Sequence, residues 1–248
     1  MAIPIPNPKM RLSIVHADAR VLVCDKGPGV VSEPGRGHAN DSVLNALFAK
    51  YAKQLAPLGE ARDYGMLHRL DRMTSGCLCC ALDAGAYDFL RGEWEAHRVR
   101  KSYLAIVRAS RKLGEVGTVG ACDRPLAEKR VGGRLVSVVD AQGKPASSRW
   151  RVLAVAERAM LIECEPVTGR LHQLRAHFAS LGAPIEGDPI YAAFDKLLPV
   201  SKAVEPPLGL HAWKLSFDHP DGGRVDAEAP PSRKFLDMLA RHGLRFHA

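Results

Sequence analysis

Asp71 stands in His68-Arg69-Leu70-Asp71-Arg72-Met73-Thr74-Ser75-Gly76, one carboxylate set among cations and followed by small residues. Flanking cations favour the ionised form of an Asp, and an ionised Asp can attack an electrophilic carbon. Thr74, Ser75 and Gly76 make a turn-like loop of little bulk, and the apolar run Cys77-Leu78-Cys79-Cys80-Ala81-Leu82 reads as a buried strand. Asp71 is therefore expected on a loop entering the core. Taken alone, an R-x-D-R is more often a solvated surface cluster, so its chemistry depends on what else the chain brings to it.

A second chemistry-bearing stretch is Thr168-Gly169-Arg170-Leu171-His172-Gln173-Leu174-Arg175-Ala176-His177. Leu171, Leu174, Phe178 and Leu181 recur at helical spacing, which predicts one apolar stripe on a helix capped by Thr168 and ended by Gly182. Arg170, His172, Gln173 and Arg175 then project from its first two turns, where the helix dipole also favours an anion such as phosphate or carboxylate. The following Ala183-Pro184-Ile185-Glu186-Gly187-Asp188-Pro189-Ile190-Tyr191 is too rich in Pro and Gly to continue the helix and reads as an ordered loop.

The elements that must position these segments alternate without a regular βαβ repeat. Residues 12–15 and 20–24 resemble a hairpin across Asp18-Ala19. Residues 41–55 read as a helix capped by Asp41 with Val43, Leu44, Leu47, Phe48 and Tyr51 inward. A second helix over 84–97, burying Phe89, Leu90 and Trp94, leads into a strand over 102–107 that opens with Tyr103. Hairpins follow over 149–165, through Glu157-Arg158, and over 210–228, through Pro220-Asp221-Gly222-Gly223, and residues 232–241 close as a helix. This is the pattern of an α+β fold, a mixed sheet flanked by helices.

The chain of 248 residues can bury one good core or two modest ones, and no repeat or low-complexity linker divides it. We expect a single catalytic domain over residues 1–248, with its core at about residues 12–230. The net charge of +8, concentrated in Arg69, Arg72, Arg98, Arg100, Lys101, Arg170 and Arg175, favours a polyanionic partner through phosphate neutralisation. Six cysteines, no signal-like leader and no apolar run of spanning length point to a reduced, cytoplasmic protein without membrane association. Cys77 and Cys80 form a C-x-x-C, yet alternation on a strand puts their thiols on opposite faces, so no metal site is expected. His68, His172, His177 and His211 read as hydrogen-bonding residues. Without a nucleotide-binding glycine loop or a G-x-S-x-G, no cofactor is implied.

Taken together, HRLDRMTSG and TGRLHQLRAH with its GAPIEGDPIY sequel resemble the H-R-L-D-x-x-T-S-G and T-G-R-x-H-Q-I/L-R-x-H motifs of RluA-type pseudouridine synthases. The resemblance runs from about Ile14 to about Pro230 and includes Val21 to Lys26, the RVRKSY stretch ending at Tyr103, Gly143 to Ala146, and Leu210 to Trp213. It implies a largely antiparallel sheet split by a central catalytic cleft and flanked by helices. Ser32 to Arg36 followed by Asp41-Ser42-Val43 is closer to the branch acting on short stem-loops of transfer or ribosomal RNA than to the branch with an extra N-terminal RNA-binding domain. Three departures stand out: Lys26-Gly27-Pro28-Gly29 replaces the usual K-P-x-G order, Leu171 stands where Thr or Ser is common, and Cys77 stands where an aliphatic residue is common. They bear on target preference more than on chemistry.

The resemblance also implies roles. A uridine in RNA becomes pseudouridine when the N1–C1′ bond breaks, the uracil turns and C5 bonds to C1′. Asp71 would begin this by adding to the base, attacking the sugar or taking a proton from C2′, and the residues do not choose among the three. Arg175 would pair with Asp71; at ~4 Å and an effective dielectric of about 20 such a pair attracts by roughly 4 kcal/mol before desolvation. Tyr103 would stack on the uracil and help move the C5 proton. Arg69 would fill the space left by the flipped base, a role suited to a planar guanidinium, or else simply pair with Asp63 or Glu60. His68, Arg72 and Lys101 complete the substrate-binding set on this side, and Arg170, His172 and Leu174 on the other; the cations among them are phosphate contacts. The implied partner is an RNA stem-loop; no residue pattern speaks to oligomeric state, so a monomer without an obligatory protein partner is the default expectation. Two other readings stay open: a non-catalytic RNA-binding module of the same fold, and a glycosidic hydrolase, which would need a second carboxyl that neither Glu186 nor Asp188 evidently supplies.

Overall fold

The computed structural model describes residues 3–192 and 207–246. In chain order its elements are β1 (Ser13–Ala17), β2 (Val21–Lys26), α1 (Val43–Leu55), β3 (Ser75–Ala81), α2 (Ala84–Glu95), β4 (Arg100–Arg108), β5 (Val119–Cys122) and β6 (Leu126–Val131). Then come β7 (Arg134–Val139), β8 (Ser148–Val155), β9 (Ala159–Pro166), α3 (Gln173–Ser180), β10 (Leu210–Asp218), β11 (Arg224–Glu228) and α4 (Arg233–Arg241). The fold is α+β, and every strand pair for which a register is defined is antiparallel. The chain forms two compact units, Met1–Lys101 with Ala212–Pro230 and Ser102–His211 with Pro231–Ala248. The chain passes between them three times, within β4, within β10 and between Pro230 and Pro231 ahead of α4.

In the first unit the strand order is β1-β2-β3-β10, with β11 on β10. The Asp18 carboxylate accepts from the N–H groups of Arg20 and Val21 and so closes the β1–β2 turn, as the sequence led us to expect. All seven residues of β3 are buried, and the strand starts at Ser75, two residues before the apolar run. Gly76 explains why: its φ is +111°, and a Cβ there would lie 2.1 Å from the Ala212 carbonyl oxygen of β10. Only glycine permits that approach, so a residue that reads as loop is part of the strand.

The helices of this unit lie close to where the sequence puts them, with two corrections. The cap of α1 is Ser42, not Asp41: Ser42 Oγ accepts from Asn45 N, Asn45 Oδ1 accepts from Ser42 N, and Asp41 pairs with His38 instead. Asp41 lies one residue too early to reach the unpaired N–H groups. In α2, capped by Asp83, Phe89 is 40% exposed and Tyr87 takes the inward place. Ala86, Tyr87, Leu90 and Glu93 make up the buried face, and Phe89 lies about 90° from its centre.

In the second unit β4, β9, β8 and β5 form consecutive antiparallel pairs. The hairpin β6–β7 had no counterpart in our reading of the sequence. Its signal was Gly132-Gly133, two residues of positive φ between two strand-like runs. Leu126 and Val136 of this hairpin pack with Ala176, Ala179, Ile190 and Tyr191, which ties it to the segment around Arg175. α4 is capped by Ser232 and buries Phe235, Met238 and Leu239.

Two glycines should respond with opposite signs to the same change. Gly76→Ala should lower stability by roughly 3 kcal/mol or more, since both φ and the Ala212 backbone oppose a side chain. Gly92→Ala, on an open face of α2, should raise it by about 0.5–1 kcal/mol. Urea denaturation midpoints decide both.

Candidate active site

The Asp71 segment belongs to the first unit. Asp71 is partly buried and Leu70 before it is buried. The carbonyl of Asp71 accepts from Thr74 N at 3.0 Å, which makes the tight turn that aims the chain into β3. The Arg72 carbonyl accepts from Gly29 N at 2.8 Å and from Lys26 Nζ at 3.0 Å. Lys26 is fully buried, and its ammonium also donates to the carbonyls of Gly27 and Val30. Burial pushes its pKa down to about 7, against the opposing pull of Asp71, Cys24 and Asp25. The loop carrying the candidate nucleophile therefore rests on a buried cation supplied by the end of β2.

Around it the other expected residues differ in kind. The Arg69 side chain is 74% exposed, and its carboxylate neighbour is Glu33, at 3.4 Å, rather than Asp63 or Glu60. His68 faces inward: Nε2 accepts from Cys79 N at 3.1 Å, so the proton resides on Nδ1, and the ring stacks on Trp94 with centroids 5.4 Å apart. Burial, aided by Lys101, drives the imidazole pKa down to about 3 and keeps it neutral. Burial likewise lowers the Lys101 pKa. Cys77 and Cys79 join the apolar cluster with Val21 and Val23, whereas the Cys80 thiol contacts the Tyr64 carbonyl. The C-x-x-C is thus divided between two faces, and among the described residues no group of His, Cys, Asp or Glu could hold a metal ion.

The second unit carries Tyr103, Arg170, His172, Leu174 and Arg175. The helix predicted from Thr168 begins only at Gln173, after His172 in the left-handed region at φ 50°. The cause is the Gln173 side chain. Its Oε1 accepts from Thr168 Oγ1 and Arg170 N, and its Nε2 donates to Ser147 O and Ser148 Oγ, so residues 168–172 are held as a turn. Arg170 and His172 consequently lie ahead of the helix, and exposed Arg170 donates through Nε to Pro145 O. Gly182, at φ +77°, ends the segment as expected. Leu174 is buried, and Tyr103 lies partly buried on β4 opposite Cys164.

Arg175 is itself 6% exposed. Its Nε and one terminal nitrogen donate to the two oxygens of Asp188 at 2.7 and 3.1 Å, and the guanidinium lies 5.2 Å from the centre of the Tyr191 ring. Asp188 also accepts from the N–H groups of Ile190 and Tyr191. The Tyr191 hydroxyl donates to Ser137 O, accepts from Ser137 N, and lies 3.2 Å from His172 Nδ1. Asp188 and Tyr191 were not among the expected site residues. Their signal lay in the Gly187-Asp188-Pro189 turn, which can be read as a turn but not as the mount of a guanidinium thirteen residues away.

A family model described as RNA pseudouridylate synthase matches residues 20–180. The chain is 34% identical over 247 residues to a ribosomal large subunit pseudouridine synthase D of Zymomonas mobilis, covering 94% of this chain and 76% of that protein. It is 35% identical over 216 residues to the protein of that name in Nitrosomonas europaea, covering 86% of this chain and 60% of the relative. A solved structure of human RNA pseudouridylate synthase domain containing 4 shares the fold at a TM-score of 0.69, with 24% identity and 94% of each chain covered. The class so defined is that of isomerases acting on RNA. Within it, the chain belongs to the RNA pseudouridylate synthase family, in the RluA/RluD-type branch, whose reaction is the isomerisation of uridine to pseudouridine in structured RNA.

Two residues of these segments give distinct thermodynamic signatures. The folded-state pKa of His68 lies below its ordinary 6.5, so as pH falls the unfolded chain takes up the proton first. The stability present above pH 6.5 is therefore lost progressively toward pH 3. The advantage of wild type over His68→Gln in urea midpoint should shrink between about pH 7 and pH 4. Asp188→Ala, which removes the carboxylate that both Nε and a terminal nitrogen of buried Arg175 donate to, should cost roughly 3–5 kcal/mol. Asp188→Asn should cost less, since its carbonyl still accepts from Ile190 and Tyr191.

Proposed function

We propose that the uridine acted on lies in a stem-loop of ribosomal or transfer RNA, with Asp71 as the catalytic carboxylate, Tyr103 as the aromatic against the uracil and Arg175 as the cation that stabilises Asp71. The names of the relatives favour large-subunit ribosomal RNA. The observation that carries the reading is the backbone of the HRLDRMTSG loop: it is anchored on the core side by buried Lys26, while Arg69, two residues from Asp71, extends into solvent. A nucleotide approaching Arg69 therefore meets a fixed carboxylate.

The chemistry asks for nothing beyond such groups. The N1–C1′ bond breaks, the uracil turns, C5 bonds to C1′ and the C5 proton moves to N1, so no atom is gained or lost. A carboxylate can start this at the base, at C1′ or at the C2′ proton. Extruding the target base costs a few kcal/mol, less in a loop than in a duplex, and Arg69 is the residue assigned to offset it. Arg72, Lys101, Arg170 and His172 serve the phosphates. Since Asp71 belongs to one unit and Tyr103 and Arg175 to the other, the reading requires the chain to work as a single catalytic domain. We place it in the cytoplasm as a monomer without an obligatory protein partner, a setting that suits an RNA substrate and six buried, unbridged cysteines.

Wild type and Asp71→Asn are to be incubated with total RNA lacking pseudouridine, which is then mapped by carbodiimide-dependent reverse-transcription stops. Stops with wild type alone are expected and name the target, whereas an active Asp71→Asn overturns the assignment. RNA affinity should fall roughly 10- to 50-fold between about 50 and 200 mM salt, as expected for about three neutralised phosphates. A flat response, read by filter binding, would mean that the basic residues face something else.

A further inference from the structure

Asp71 is followed by a residue whose carbonyl is tied to Lys26 and Gly29, and it is preceded by one tied with equal care. Ser32 Oγ accepts from Leu70 N at 3.1 Å and donates to Leu70 O at 3.0 Å. One hydroxyl thus takes both backbone polar groups of the residue before Asp71, as a neighbouring strand would. Ser32 is 5% exposed and Leu70 7%, so water cannot easily replace the pair. On the other side the Lys26 ammonium has three N–H donors and meets three carbonyls, those of Gly27, Val30 and Arg72, at 3.0, 2.7 and 3.0 Å. Both holds come from one stretch of seven residues, the stretch in which this chain departs from the K-P-x-G order.

We propose that residues 26–32 are a clamp that sets the position of the Asp71 carboxylate, with Ser32 and Lys26 as positioning residues that fix the peptides on either side of it. Asp71 has only two side-chain torsions, so once the backbone at Leu70 and Arg72 is fixed its carboxylate occupies a small region. Without the Ser32 hydroxyl, Leu70 N and O lose their partner and the peptide entering Asp71 is free to rotate, while the RNA-facing cations, Arg69 included, keep their exposure. Displacement of a reacting group by about 1 Å costs on the order of 100-fold in rate. The deficit therefore belongs to the chemical step and not to RNA binding. Burial of Lys26, which brings its pKa to about 7, adds that its third donor is present only while it is charged. The acidic groups that favour the charge are Asp71, Asp25 and Cys24, and Arg72 opposes it.

This proposal rests on Asp71 being the catalytic carboxylate, and the experiment separates the two. Ser32→Ala, Asp71→Asn and wild type are compared for kcat and KM on the RNA mapped above, with circular dichroism to establish folding. Folded Ser32→Ala is expected to keep KM within about twofold and to lose about 10- to 100-fold in kcat. Wild-type kcat in Ser32→Ala, or a loss carried by KM alone, overturns the clamp. An active Asp71→Asn overturns the catalytic reading, whatever Ser32→Ala does. If Ser32→Ala does not fold, Ser32→Cys, nearly the same size but a weaker hydrogen-bonding group, is judged by the same split: a kcat loss supports the clamp and wild-type kcat overturns it.

Discussion

Taking a charge out of water costs several kcal/mol unless hydrogen bonds or an opposite charge replace the lost hydration, and this cost shapes both chemistry-bearing segments. Lys26 is fully buried and meets it with three backbone carbonyls, one of them beside Asp71. Arg175 meets it with Asp188, which in turn accepts from two backbone N–H groups. In each case at least one acceptor comes from another segment, the Arg72 carbonyl for Lys26 and the Asp188 carboxylate for Arg175. The charge cannot be satisfied until those segments are in place, so these buried cations fix loops more firmly than apolar contact alone would.

The rigid parts that carry these loops are built by ordinary burial. β3 is buried along its whole length, and its entry depends on Gly76, where the Ala212 backbone leaves no space for a Cβ. Asp71 is therefore mounted directly ahead of a strand that has little freedom to shift. Around Arg175 the same rigidity comes from polar satisfaction. Gln173 uses both ends of its amide to hold residues 168–172, and His177 accepts from Ser148 Oγ through Nδ1 and donates to Arg124 O through Nε2. Burial keeps that imidazole pKa below its ordinary value, so it remains neutral, as one donor and one acceptor require.

For an isomerase of RNA this division is apt. Two of the cations expected to meet RNA, Arg69 and Arg170, are exposed and loosely tied, and suit a partner that is steered in by charge. The groups proposed to act on the nucleoside sit on segments that admit little movement. His68 shows how position in a motif differs from position in space: it belongs to HRLDRMTSG, yet its ring stacks on Trp94 and its Nε2 serves the backbone of β3.

Most of the architecture was legible because it follows from local rules. The β1–β2 hairpin, the buried run of β3, the β8–β9 and β10–β11 hairpins and the four helices all follow from periodicity and turn chemistry, which act over a few residues. Errors arose where a local signal competed with a partner elsewhere in the chain. Thr168 is a sound helix cap by type, but Gln173 claims its hydroxyl; Gly76 reads as loop, but Ala212 demands glycine within a strand. The residue types of the two motifs, and through them the family and its reaction, were fixed by the chain alone, because a carboxylate or a guanidinium carries its chemistry wherever it is placed. That Arg175 is mounted on Asp188, that His68 turns inward and that Ser32 and Lys26 hold the peptides flanking Asp71 was decided only by tertiary structure, because hydrogen bonds between distant segments exist only after folding has brought their donors and acceptors within about 3 Å.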